Sequence, residues 1–373
     1  MKFFLLILFL LAIEVFGFGQ PSAPTLIKKN KTTSVKYQAK TGTCWCYSTT
    51  SLIESEYIRN TGTILDLSEM YTVRNIFIEK AKRYILGLGT TPFQAGGIGQ
   101  NVLYGIMKYG AIPEEFYPSK NTIETSYTSD IQLEEILRKY LENVLRQNPI
   151  SEKWLDNFIL KLDSSLGIPP KSFIWEGREY TPLSFADKVL KLNSDDYVTI
   201  TSFTHHPFYK YITLEIPDNY LINPEYFNLP IDTLISITEM AINKGYTAVI
   251  DLDMTNNGWN CDRFGYALNL KERPQNIIDG DMEEDTANQQ IRQKLFETLV
   301  TQDDHLIHLI GLAKSAKGKK FFILKDSYKD PSGKHYATFG GFDYISENYF
   351  VINTISILLP KAALRDNILK LMK

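Results

Sequence analysis

The stretch Gln38-Ala39-Lys40-Thr41-Gly42-Thr43-Cys44-Trp45 decides how this chain is read. A loop containing Gly42 runs into an amphipathic segment, Trp45 to Ile58, and Asn60-Thr61-Gly62 stops it. Trp45, Thr49, Leu52, Ile53 and Tyr57 fall on one face of that helix. Cys44 therefore stands at a helix N-terminus, where the positive end of the dipole and unpaired N–H groups favour the thiolate. A cysteine nucleophile also needs a base and an oxyanion pocket. Gln38, six residues upstream, is close enough for its amide to reach over the loop toward the Cys44 backbone N–H. Alone, a cysteine near a helix start reads as a small buried hydrophobe, so the rest of the chain must supply the other parts.

Composition bounds what those parts can be. Forty Lys+Arg against 43 Asp+Glu in 373 residues give a formal charge of −3, with no basic excess for nucleic acid. With 44% hydrophobic and 22% charged residues the chain is globular, not disordered. Three cysteines are too few for a disulfide scaffold. Lys2, the apolar run Phe3 to Ile13 and the small residues up to Gly19 read as a signal peptide over 1–19. That run is short of the ~20 residues a bilayer needs, so no stable membrane insertion is expected after cleavage. The expected destination is the periplasm or the exterior.

A second helix is expected from Ser68, with Glu69 in its first turn and Met70, Val73, Phe77, Ala81 and Tyr84 inward. A third runs from Ile98 to Tyr109, closed by Gly110. The stretch 121–200 reads as a mostly helical insertion. In it Leu133, Ile136, Leu137, Tyr140, Leu141, Val144 and Leu145 form a stripe behind a capping box of Ser129 and Gln132, and a further helix spans Ser151 to Leu162. The later chain turns to strands at Thr247–Asp253, Leu306–Ala313, Lys320–Ser327 and Val351–Leu358. Lys317-Gly318-Lys319 makes a hairpin turn and Asp330-Pro331-Ser332-Gly333 a loop. Helices first and strands last give an α+β protein with a helical lobe and a sheet-rich lobe.

Gln38, five residues, then Cys44-Trp45 and a helix resemble the papain-like cysteine peptidases. Further pieces follow in the same order: Leu67-Ser68-Glu69, the pair Gly96-Gly97, and His305 at the start of a strand. Lys325-Asp326-Ser327-Tyr328 stands where the family has Asn-Ser-Trp, and Gly340-Gly341-Phe342 precedes the terminal strand. The long insertion, with Gln20 to Tyr37 too short for a folded prosegment, is similar to the bleomycin hydrolase and aminopeptidase C branch. The resemblance implies a two-lobed papain-like fold with a helical lobe and an antiparallel β lobe. It implies Cys44 as nucleophile, His305 as general acid/base, Gln38 with the Cys44 N–H as oxyanion hole, and Asp326 as the group orienting His305. Gly96 and Gly97, with Trp45, would bind substrate backbone as an extended strand. The implied reaction is hydrolysis of a peptide or protein substrate through an acyl-enzyme, with no cofactor and no metal. Aminopeptidase against endopeptidase action and homo-oligomer assembly stay open.

Thr41 replaces a cysteine common in the family's motif, Asp326 replaces Asn and Tyr328 replaces Trp. A carboxylate raises the imidazolium pKa and adds negative charge near the thiolate. Two other functions are therefore weighed: a Cys-His-Asp acyltransferase of transglutaminase type, and a non-catalytic peptide-binding descendant. His308, three residues from His305 on a strand, faces away from it and reads as a core histidine. Asp303-Asp304 reads as a solvated loop and His205-His206 as structural, since no third ligand has metal-site spacing nearby. Cys46 and Cys261 read as buried thiols, with a bridge between them left open.

Overall fold

A computed structural model describes residues 22–39, 41–118, 130–277, 279–327 and 339–372, with 130–132 as backbone only. The leader 1–19, the capping box at Ser129 and Gln132, Tyr328 and the loop Asp330–Gly333 lie outside what it describes. Three helices form as their sequence patterns require: α1 (Cys44–Thr61), α2 (Glu69–Leu86) and α3 (Gly99–Tyr109). Ser68 caps α2 by accepting the Tyr71 N–H at 3.2 Å. Gly62 and Gly110 end α1 and α3 at φ 76° and 84°, a region that glycine enters without strain.

α4 (Asp130–Leu145) and α5 (Trp154–Leu166) follow. Their Leu133, Leu137, Leu141, Val144, Phe158 and Leu162 join the same apolar core as α1 to α3. Ile136 departs from the expected stripe and is 52% exposed. Helical character stops at Leu166, earlier than the reading of 121–200 as mostly helical. A small hairpin of β2 (Phe173–Trp175) and β3 (Arg178–Tyr180) and short helical turns over Pro182–Leu190 fill the middle. Tyr197–Thr201 is already a strand of the main sheet.

That sheet runs in the order β5 (Lys210–Thr213), β6 (Glu225–Asn228), β4 (Tyr197–Thr201), β13 (Thr354–Pro360), β7 (Ala248–Leu252), β10 (His305–Lys314), β11 (Lys320–Lys325), β12 (Phe342–Ser346), β9 (Tyr266–Ala267) and β8 (Trp259–Asn260). β1 (Thr25–Lys29), read from sequence as polar connection only, pairs with the C-terminal half of β10. Residues alternate across the sheet. Val249, Leu306 and Leu358 pack into the core of α1 to α5, while Ile250, Leu252, Ile307 and Leu309 pack on the opposite face. That opposite face is covered by the helices Ile231–Asn243, Glu347–Asn353 and Asp366–Leu371. The α+β, two-lobed expectation holds, but the sheet is mixed and not antiparallel throughout: β4 pairs with β6, and β12 with β9, in parallel.

One strand boundary does not hold. Val351–Asn353 ends a helix begun at Ser346, whose hydroxyl accepts the Tyr349 N–H at 3.0 Å. The capping serine and burial of Tyr349 to Ile352 override the β-branched composition. All three cysteines are free, so no bridge joins Cys46 and Cys261.

Candidate active site

Cys44 is the first residue of α1 and is half-buried. Thr43, the residue at the cap, makes no side-chain cap bond, because its hydroxyl is 2.6 Å from that of Thr41. No acidic residue occupies the first turn. The partial positive charge of the helix start is therefore left unopposed by side chains where the thiol sits.

The lobes meet across this helix end. His305 opens β10, is 2% exposed, and its Nε2 lies 3.0 Å from Asp326 Oδ1. Its side chain also hydrogen-bonds Cys44. Burial alone would lower the imidazolium pKa. The charges of Asp326 and Cys44, with a hydrogen bond to each, hold it well above the ordinary histidine range. Asp326 is fixed in turn, since Oδ1 accepts the Ser327 backbone N–H at 2.7 Å.

Gln38 is clamped from both sides. Its backbone N–H donates to the Ser327 carbonyl at 2.8 Å, its Oε1 accepts from the Ser327 hydroxyl, and its Nε2 donates to the Thr41 carbonyl at 2.8 Å. One of its two amide N–H groups is thus directed into the Thr41 turn and not along the loop toward Cys44.

Gly96, part of the expected glycine wall, lies against the loop before Cys44, its N 3.5 Å from where a Cβ on Gly42 would be, and Trp45 lies beside Gly97. It is 1% exposed, donates its indole N–H to the Ala95 carbonyl at 3.0 Å, and sits 3.1 Å from where a Cβ on Gly97 would be. Trp45 thus packs beneath Gly97 with almost no exposed surface of its own. Sequence reading also missed what holds that wall. Lys80 of α2 is buried and donates to the carbonyls of Gln94 (2.8 Å) and Gly96, and Glu134 of α4 accepts the Ala95 N–H at 2.8 Å. Gln94 Nε2 donates to Asp218 Oδ1 at 2.5 Å. A lysine on the inward face of α2 was the available signal, and nothing in the sequence pointed to Asp218.

The remaining candidates fall as follows. His308 is buried facing α1, with Nδ1 2.8 Å from the Ser51 hydroxyl, and burial followed by Lys325 pushes its pKa well down. Asp304 is a loop anchor, accepting Met254 and Thr255 N–H at 2.8 and 3.1 Å. Asp303 is half-buried, not a freely solvated loop residue, and turns its carboxylate inward beside Asp251. His205 and His206 do acquire a third potential ligand, Glu215, with ligand atoms within 4.8 Å of one another. Thr204 N–H to Gln293 Oε1 (2.5 Å) fixes that amide, whose Nε2 then faces His205 Nδ1 at 2.8 Å. His205 must accept there, so its proton sits on Nε2 and points to Glu215 at 3.2 Å.

A thiol at the head of a buried helix, bonded to a histidine that also meets a carboxylate, is the arrangement a cysteine nucleophile needs. The family described as "Peptidase C1-like family" matches residues 20–373, and the chain belongs to it, within the papain-like bleomycin hydrolase and aminopeptidase C branch. It is 25% identical to Aminopeptidase C of Lactobacillus delbrueckii subsp. lactis over 394 residues, 93% of this chain and 84% of that protein. It is 24% identical to Bleomycin hydrolase of Gallus gallus over 256 residues, 57% of this chain and 56% of that protein. Its fold is similar to the crystal structure of PepW from Lactobacillus rhamnosis, with a TM-score of 0.74 at 18% identity, covering 94% of this chain and 84% of that one. The chain is a cysteine peptidase acting on peptide or protein substrates.

Proposed function

We propose that the chain is a thiol aminopeptidase whose nucleophile is Cys44. The observation that carries this reading is the hydrogen-bonded line Cys44–His305–Asp326 at the start of α1. The Cys44 sulfur attacks the scissile carbonyl, and the C–N bond breaks as His305 gives its proton to the leaving amine. His305 then takes a proton from the water that releases the acid and restores the thiol. Asp326 keeps the ring oriented and stabilises the imidazolium. Gln38, fixed by Ser327, serves the developing oxyanion together with the Cys44 N–H. The names of the relatives support action at the amino end of peptides.

Hydrolysis of leucyl-aminomethylcoumarin tests this. Cys44→Ala is expected to remove activity at least about a thousandfold. Iodoacetamide is expected to label Cys44 ahead of the buried Cys46 and Cys261, and His305→Ala to slow that labelling. Amine incorporation into a glutamine peptide without hydrolysis would replace this reading by the acyltransferase one. Failure of both reactions with intact peptide binding would make the chain a binding protein. We further propose export directed by residues 1–19, supported by Lys2 and the apolar run after it. Amino-terminal sequencing of the exported chain is expected to begin near Gln20.

A further inference from the structure

Three carboxylates converge beside the glycine wall. A Cβ on Gly96 would lie 2.7 Å from Asp218 Oδ2, and the Gly97 N–H bonds the same carboxylate. Asp303 accepts the Asp218 backbone N–H and hydrogen-bonds Asp251 side chain to side chain. Asp251 stands in the middle of β7, paired with Leu306 and Ser356. Its neighbour two residues back, Val249, and Leu306 both pack on the helical core, so Asp251 faces the helical lobe. It is 3% exposed, and Cys44 is among the groups whose charge it feels.

Burying acids on a strand face between two lobes is expensive unless something compensates. Lys80 compensates Asp218, but the groups acting most strongly on Asp251 and Asp303 are other carboxylates. Burial raises all three pKa values, against Lys80 at Asp218 and together with neighbouring carboxylates at Asp251 and Asp303, the last to about 7. Asp251 Oδ1 and Asp303 Oδ2, both buried, make no hydrogen bond here. The hydroxyl of Tyr226, a residue with no exposure whose charged neighbours are Asp251, Asp303 and Asp218, has only the Gln100 side chain beside it, and that side chain itself donates to Thr199 at 2.6 Å. An organic ammonium, with three N–H donors, fits a wall of carboxylates and a phenol better than any neutral group does.

We propose that Asp218, Asp251 and Asp303, beside Gly96 and Gly97, form the pocket that takes a primary ammonium group of the substrate, foremost the α-amine of a peptide N-terminus. The inference rests on the peptidase reading and deepens it: a chain held by its amine near Cys44, whose charge reaches Asp251, loses residues from its amino end. A lysine side chain on a blocked peptide offers the same chemistry, and the test separates the two sources.

Calorimetric titration of the full-length Cys44→Ala protein with Leu-Gly-Gly amide, its N-acetyl form, and N-acetyl-Lys-Gly-Gly amide reads binding without turnover. The free-amine peptide is expected to bind about ten- to a hundredfold more tightly than its acetylated form. That ratio is expected to collapse toward one when Asp303→Asn or Asp251→Asn is added, two isosteric changes that remove buried charge and keep shape. Acetyl-lysyl peptide binding as tightly as the free amine would assign the pocket to a side chain instead. Equal affinities, no binding of any peptide, or a ratio unchanged in both variants would overturn the proposal. Turnover of the same peptides by the Cys44 protein separates the two readings. Hydrolysis without amine preference overturns the pocket alone, and amine-selective binding without hydrolysis overturns the peptidase reading alone.

Discussion

Asp326 is the single residue in which this site departs most from the pattern it resembles, and its effect has a sign. A neutral amide in its place still accepts or donates one hydrogen bond to His305 but removes a charge 3.0 Å away. Asp326→Asn is therefore expected to lower the alkaline limb of the kcat/KM profile by about one to three pH units, measured on an aminoacyl-coumarin. The same linkage governs stability. His305 has its folded pKa raised, so its contribution is fully present below about 6.5 and is lost as pH rises through the folded value. The asparagine variant is therefore expected to fall furthest below wild type under about pH 6.5, with the deficit shrinking as pH rises through the folded value of His305. The glycine wall is equally specific. Gly96→Ala would put a methyl 2.7 Å from Asp218 Oδ2 and is expected to lower kcat/KM on the same aminoacyl-coumarin by about tenfold or more. Cys44 and His305 were legible through the resemblance of Gln38, Cys44-Trp45 and the distant histidine to the papain-like pattern, since the helix start alone left Cys44 as a buried hydrophobe. Asp251 and Asp303 were not, because a carboxylate in a strand or loop reads as solvated until the partner strand and lobe are known.

Helix α1 shows how far an element outruns its own periodicity. The sequence shows one apolar face, yet Ser48, Ser51, Glu54 and Ser55 on other faces are buried as well. They are accommodated by polar partners distant in sequence: Lys325 Nζ donates to Ser51 and Thr33, and Glu54 accepts from Leu67 N and Thr33. Such contacts leave no local pattern. The loop 94–97 depends on neighbours in the same way, with Lys80 from α2, Glu134 from α4 and Asp218 each fixing part of it. Lys80 is 1% exposed. Lys80→Met would strand the Gln94 and Gly96 carbonyls and remove the cation beside Asp218, a loss expected to cost about 3–5 kcal/mol in urea unfolding. Activity is expected to fall with it at temperatures where the variant remains folded, because the wall that pairs with substrate has lost its support.

Across the whole molecule the site sits where a three-layer arrangement leaves one sheet face shared between lobes. β7, β10 and β13 present Val249, Leu306 and Leu358 to the helical core, and Asp251 interrupts that apolar surface where the cleft needs charge. This interruption should be felt by the entire fold. Asp303, with a pKa raised from 3.8 to about 7, favours the protonated form in the folded state, chiefly through burial and then through Asp218. Its contribution to stability is therefore complete below about pH 3.8 and is lost as pH rises toward 7. His308, pushed well down by burial, works in the opposite direction, and Glu79, held near 2 by Lys108, Tyr109 and Lys82 against its partial burial, does so at lower pH. The comparison that isolates Asp303 is the difference between wild type and Asp303→Asn, measured by urea unfolding at pH 4.5, 6 and 8. The asparagine variant is expected to gain on wild type steadily over that range, because it buries the same volume with no proton to lose. A difference that stays flat would mean that Asp303 ionises freely in the folded protein, and that the carboxylates beside the glycine wall are not coupled as their contacts require.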